Sequence, residues 1–220
     1  MDKNYSYDYV HNTDVYVHQR KDMFRINTDT ALLANFMRIE EGDKILDIGT
    51  NNAALLLVAA TFHPSYLYGA EIQHDAVKLA NYNLKDCVIP FKILEGDVTK
   101  MALPIVDVIV CNPPYFKVSE NSNVNESDYL KIARHECYLP FDRLCQVVAS
   151  SLQQKGRFYL VHRADRIAEL ISIMHEHRLY VRTLQFVYDK NKEEAISVLV
   201  EAIKDGGHNV HVLEPITNDR

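Results

Sequence analysis

Apolar and polar positions change period repeatedly along the chain, and the changes mark out its elements. Five short runs rich in β-branched and aromatic residues read as strands: Lys44–Gly49, Tyr66–Ile72, Phe91–Asp97, Val106–Cys111 and Arg157–His162. Between and after them lie longer stretches with helical spacing: Ala53–Thr61, His74–Lys85, Phe141–Gln153 and Ile167–His177. In His74–Lys85 the residues Ala76, Leu79, Ala80 and Asn83 fall on one stripe. Strands alternating with helices predict βα units and a doubly wound, mainly parallel sheet. Near the end the pattern changes. Val181–Tyr188 and Ala195–Ile203 are strand-like runs joined by the polar Asp189–Glu193, which is too short for a crossover helix and so predicts an antiparallel hairpin. The expectation is an α/β fold with a mainly parallel seven-stranded sheet and an antiparallel C-terminal hairpin.

One domain over residues 41–205 accommodates this pattern, followed by a tail over 206–220. Residues 1–40 precede the first βα unit and are expected to pack on or near the site. In that segment Thr28-Asp29-Thr30 before Ala31-Leu32-Leu33-Ala34 reads as a capped helix start. The polar stretch Lys117–Asp128 is the most loop-like part of the chain.

Composition narrows the class. A chain of 220 residues can bury one sizeable core, and 47% hydrophobic with 25% charged residues argues against disorder. No apolar run approaches the roughly 20 residues needed to cross a bilayer. The N-terminus lacks a signal peptide's apolar stretch, so a cytoplasmic location is expected. Cys87, Cys111, Cys137 and Cys145 show no Cys-x-x-Cys pair and read as reduced thiols in a core. The formal net charge of −6 does not mark a nucleic-acid binder. Charge is uneven, however: Arg134–Arg166 carries a local excess of three positives, and Arg20, Lys21 and Arg25 cluster near the N-terminus. Such patches could track phosphates or simply be solvated faces.

Candidate chemistry gathers at strand ends. Asp47, Glu71 and Asp97 close the first three strands, and in a doubly wound sheet those ends line one crevice. An acidic residue after the second strand can accept both ribose hydroxyls of a nucleoside; one after the third can accept from an adenine amine. The turn Asp47-Ile48-Gly49-Thr50-Asn51-Asn52-Ala53 should let backbone approach a cofactor, yet a Gly-x-Gly-x-Gly pattern would need glycines where Asn51 and Ala53 stand. Asn tolerates positive φ, so the turn is expected to survive. After the fourth strand comes Asn112-Pro113-Pro114-Tyr115. These four residues suit methylation of a planar, conjugated nitrogen. An Asn oxygen and a fixed backbone carbonyl can accept both hydrogens of the amine, two proline rings stiffen the chain, and a Tyr offers a face for a flat substrate.

On these residues the chain resembles class I S-adenosylmethionine-dependent methyltransferases of the Asn-Pro-Pro-Tyr subgroup. Asn27-Thr28-Asp29 before a Leu-Leu helix, Phe116, and Ala133-Arg134-His135-Glu136 bring it near the bacterial tRNA1(Val) adenine-37 N6-methyltransferases. The resemblance spans roughly residues 15 to 205 and implies a Rossmann-like class I methyltransferase fold. It implies that Glu71 binds the cofactor ribose and Asp97 its adenine, while Asp47, Gly49 and Asn51 shape the rest of the cofactor site. Asn112 and Pro113 would grip the target amine beside the cofactor, with Pro114 stiffening the turn and Tyr115 stacking on the base. Phe116, Thr28, Asp29, Arg134 and His135 would touch the substrate, an anticodon stem-loop of tRNA. S-adenosylhomocysteine would be the product; neither a metal, a membrane nor an obligate protein partner is expected. Two other readings remain open: a protein glutamine N5-methyltransferase, whose carboxamide presents the same planar NH₂, and an inactive RNA-binding relative.

Overall fold

The computed structural model describes residues 4–113 and 139–218. Within them, from β3 onward, the elements run β3 (Lys44–Ile48), α2 (Ala54–Ala60), β4 (Tyr66–Glu71), α3 (His74–Leu84), β5 (Phe91–Glu95), β6 (Val106–Cys111), α4 (Phe141–Ser151), β7 (Leu152–Arg163), α5 (Ile167–Glu176), β8 (Leu179–Asp189) and β9 (Ala195–Lys204). These strands form one sheet in the order β8-β9-β7-β6-β3-β4-β5. Strands β5, β4, β3, β6 and β7 are mutually parallel, and β9 runs antiparallel between β7 and β8. These seven strands, mainly parallel with an antiparallel hairpin, are as the sequence pattern implies, within a sheet of nine.

The period of two along the central strands divides the interior into two cores. Ile45, Val108, Val110, Tyr159 and Val161 pack on one face with Leu33 of α1 (Thr28–Phe36), Leu56 of α2 and Leu84 of α3. Leu46, Ile48, Ile109, Phe158 and Leu160 pack on the other face with Leu144 and Val148 of α4 and Leu170 and Met174 of α5. With both faces covered, β3 can be apolar almost throughout. The chain moves outward from β3 to β5, then returns to β6 on the other side of β3. The strand order thus reverses beside β3, and a crevice opens beyond the carboxyl ends of β3 and β6.

Three features differ from the sequence reading. Residues Tyr5–Tyr9 and Tyr16–Arg20 pair as an antiparallel hairpin, β1 and β2. The alternation Tyr16-Val17-His18-Gln19-Arg20 carries that signal: Val17 and Gln19 turn inward, at 0% and 3% exposure, while Tyr16 is half exposed. Second, α1 is capped by Asn27, one residue earlier than expected, whose side-chain oxygen accepts the Thr30 N–H. Third, the stretch after residue 205 contributes two short strands, β10 (His211–Val212) and β11 (Ile216–Asn218), both parallel to β8. They engage backbone groups that an edge strand would otherwise leave unpaired.

Asn83, on the inward stripe of α3, fastens the N-terminal hairpin to the sheet. Its Oδ1 accepts the His18 N–H at 3.0 Å, and its Nδ2 donates to the His18 and Asn52 carbonyls, each at 2.9 Å. One side chain thus satisfies main chain from β2 and from the turn before α2. At about 1 kcal/mol net per bond, Asn83→Ala should destabilise the protein by about 3 kcal/mol. The variant should also speed amide exchange selectively in β1 and β2; a denaturation midpoint and hairpin exchange equal to the parent's would show that the clamp carries no weight.

Candidate active site

The crevice at the carboxyl ends of β3, β4 and β6 is lined by Asp47, Gly49, Asn51, Glu71, Gln73, Asp97, Asn112 and Pro113. Its remaining wall comes from the start of the chain, where Phe24, Arg25, Ile26, Asn27 and Thr30 face the same space. Sequence reasoning did not place Phe24, Arg25, Ile26, Asn27, Thr30 or Gln73 in the crevice, although it named Arg25 in a basic cluster and Asn27 among the residues that carry the resemblance. The signal available for the first five is positional: they lead from β2 into α1, which Asn83 and Asn51 hold against the β3–α2 turn.

That turn adopts the conformation of a glycine-rich loop with only one glycine. Gly49, Asn51 and Ala53 have φ of 76°, 49° and 62°, so each position where a glycine would be expected is left-handed. At Gly49 a Cβ would meet no protein atom within 4 Å; the glycine serves the positive φ and leaves the crevice clear. Asn51 is among the residue types that accept this region. Its backbone N–H donates to Glu71 Oε2 at 2.9 Å, and its Nδ2 donates to the Phe24 carbonyl at 2.6 Å. The side chain that replaces a glycine is thus used to hold the N-terminal wall. Ala53, fully buried at the start of α2, carries left-handed strain of about 1–2 kcal/mol.

The three acidic residues sit in different environments. Asp47 is 1% exposed, and burial pushes its pKa up to about 7. The Thr50 hydroxyl offsets this only in part, because neither Asp47 Oδ1 nor Thr50 Oγ1 meets a partner in hydrogen-bond geometry; nearby Glu71 adds to the rise. Gln73 Oε1 is a third buried atom without a partner, on the same crevice wall. Burial also raises the Glu71 pKa, against which the backbone N–H groups of Gln73 and Asn51 pull it down, one on each carboxylate oxygen at 2.9 Å. Asp97 is the opposite case. The Thr99 hydroxyl and N–H and the Lys100 ammonium hold its pKa at about 2.

Asn112 and Pro113 leave β6 beside the end of β3, where Cys111 pairs with Ile48. Asn112 Nδ2 donates to Thr30 Oγ1 at 3.1 Å. Thr28 and Asp29, expected at the substrate, lie in the first turn of α1 and are not among the residues lining the crevice. Asp29 accepts the Ser197 hydroxyl from β9 at 3.2 Å, and its burial raises its pKa. Pro114, Tyr115, Phe116, Arg134 and His135 lie outside the described residues, as does Cys137. Cys111 and Cys145 are buried and Cys87 partly so; burial raises both buried thiol pKa values. Among the described residues, no helix is long and apolar enough to cross a membrane.

The family model described as "Methyltransferase small domain" matches residues 7–191. A tRNA1(Val) (adenine(37)-N6)-methyltransferase from Pedobacter heparinus is 32% identical over 178 residues, covering 77% of this chain and 74% of that protein. One of the same description from Aliivibrio salmonicida is 29% identical over 182 residues, covering 80% and 76%. Among solved structures, a predicted O-methyltransferase from Agrobacterium tumefaciens superposes with a TM-score of 0.65 at 19% identity, covering 84% of this chain and 85% of that one. The T. thermophilus 16S rRNA N2 G1207 methyltransferase, in complex with AdoMet and guanosine, gives a TM-score of 0.63 at 19% identity, covering 91% of this chain and 50% of that one. At these identities the solved structures establish the fold.

The environment of Asp47 makes a prediction that needs no ligand. Its folded-state pKa of about 7 lies above the ordinary value of 3.8, so the folded protein binds more protons than the unfolded chain between those pH values. The stability this group contributes is complete below about pH 4 and is lost as pH rises through about 7. Asp47→Asn should raise the melting temperature at pH 8 and flatten the fall in stability between pH 4 and 7. Parallel stability-against-pH curves for parent and variant would contradict this assignment.

Proposed function

The chain belongs to the methyltransferase small domain family and is an S-adenosylmethionine-dependent methyltransferase; we propose that its acceptor is the N6 amine of an adenine in tRNA, adenine-37 beside the anticodon of tRNA1(Val). The observation that carries this reading is the meeting of Asn112 and the acid-lined turn in one crevice. The named relatives are described as acting on that position, and they supply the substrate in this proposal.

The wall fits S-adenosylmethionine chemically. Asp47 Oδ1, Thr50 Oγ1 and Gln73 Oε1 are buried polar atoms without partners, and a polar, charged ligand would relieve their desolvation. Each Glu71 oxygen accepts one backbone N–H, and a carboxylate oxygen has a second lone pair for a hydroxyl. In this reading Glu71 holds the ribose, Asp97 faces the adenine, and Asp47, Gly49 and Asn51 bound the methionine end. The cofactor supplies a methyl group on a positively charged sulfur.

The chain's own contribution is positioning and polarity. Asn112 Oδ1 and the Pro113 carbonyl accept the two N–H hydrogens of the acceptor amine, drawing its nitrogen towards the methyl donor and stabilising the charge that builds on it. Tyr115 gives the base a stacking face. An adenine in an anticodon loop is the kind of base such a crevice takes, because an unpaired base costs less to extrude than a paired one. Arg25, exposed on the crevice wall, offers a cation to a phosphate.

Transfer of labelled methyl from S-adenosylmethionine to unmodified tRNA, DNA and protein, run in parallel, tests the acceptor class. Label appearing in tRNA as N6-methyladenine supports the proposal; label appearing only in glutamine side chains or DNA overturns it. Asn112→Ala should lower kcat about 10²–10³-fold, the usual loss for one preorganised polar contact, with cofactor affinity close to the parent's. A parallel loss of cofactor affinity would remove Asn112 from the acceptor site.

A further inference from the structure

We infer that Thr30 is a positioning residue that fixes which end of the Asn112 carboxamide faces the acceptor. The inference rests on the reading that Asn112 grips the acceptor amine, and it follows from counting protons along one chain of hydrogen bonds. The Thr30 backbone N–H can only donate, and it donates to Asn27 at 2.9 Å, so the Asn27 atom there must be its oxygen, Oδ1. The Thr30 hydroxyl lies 3.0 Å from that same oxygen. Facing an oxygen with no proton, the hydroxyl must donate, which uses its single hydrogen. What remains on Thr30 Oγ1 is lone pairs. The Asn112 atom 3.1 Å away must therefore be a donor, the amide nitrogen. Its oxygen then occupies the other arm of the fork.

The order of donors thus runs from the helix cap to the catalytic crevice: a main-chain N–H sets Asn27, Asn27 sets the Thr30 hydroxyl, and Thr30 sets Asn112. Thr30 is 7% exposed, so water does not readily replace its hydroxyl. Without that hydroxyl the two ends of the Asn112 carboxamide, similar in shape, would lose their distinction. A carboxamide turned over would point N–H at the acceptor's N–H and repel it. The same polarity selects substrates: a group presenting an amine is accepted, and one presenting a keto oxygen at that point meets another oxygen. Thr30 thereby contributes to the choice of an amino over a keto base edge by acting through Asn112.

Thr30→Val keeps the shape and removes the hydroxyl; Thr30→Ser keeps the hydroxyl. With unmodified tRNA as acceptor, Thr30→Val should lower kcat about tenfold, the effect of one hydrogen bond, with little change in KM for tRNA or in cofactor affinity. Thr30→Ser should restore kcat. In an Asn112→Ala background Thr30→Val should have no further effect on kcat, because the group it orients is gone. A structural role for Thr30 would instead give losses that add in that background. Additive losses, or a Thr30→Val enzyme as fast as the parent, overturn the inference. An Asn112→Ala enzyme with parental kcat overturns both it and the reading beneath it. Should the parent fail to methylate tRNA, the proposed acceptor falls, and nitrogen-15 NMR of the Asn112 side-chain amide decides the relay alone. Its proton resonances should shift and exchange faster in Thr30→Val and match the parent in Thr30→Ser; resonances unmoved by Thr30→Val overturn it.

Discussion

The Glu71 carboxylate joins the two turns that form the crevice, and the site depends on it. It stands at the end of β4, and its oxygens take the N–H of Asn51 from the β3–α2 turn and of Gln73 from the β4–α3 turn. Two segments from different βα units are thereby registered to one buried carboxyl group. The arrangement suits binding as well as architecture. The same oxygens that hold the loops keep lone pairs for a ligand, so loop position and ligand position are set by one group. Burial of this carboxyl group is tolerable because both of its oxygens already receive N–H donors.

Asp47 complements Glu71 by being left incomplete. A buried carboxyl with one unpartnered oxygen and a pKa of about 7 carries unfavourable desolvation. Proteins rarely leave such atoms orphaned, and those that persist concentrate where something is bound. Asp97 shows the contrast: it is satisfied locally by Thr99 and Lys100 and remains ionised at any physiological pH. Three carboxylates that look alike as strand-end acids therefore differ in burial, partners and proton affinity.

Much of this was legible in the sequence. The parallel sheet, the C-terminal hairpin and the crevice acids follow from strands of known period and from the rule that ligands sit at strand carboxyl ends. The left-handed turn was legible at Asn51, an accepted substitute for glycine, and less so at Ala53, where tertiary packing overrides backbone preference. The segment before residue 41 was expected near the site, but which of Phe24 to Thr30 face the crevice could not be read, because nothing local in those residues records the pairing of Asn51 with Phe24 or of Asn112 with Thr30. Such contacts between distant residues are set by tertiary geometry. The hairpin β1–β2 is a different kind of miss: its alternation was present, in a segment treated as a preface to the domain.

The sequence separations in that wall also bear on the speed of folding. Phe24 and Thr30 find their partners, Asn51 and Asn112, 27 and 82 residues further along, and the hairpin's anchor Asn83 is 65 residues from His18. Closing loops of that length is slow compared with forming a helix. The wall and the hairpin beside it are thus held by contacts that span a large part of the chain. Contacts of that range cost a fold speed more than stability, so the crevice wall weighs on how fast the chain folds more than on how firmly it stays folded.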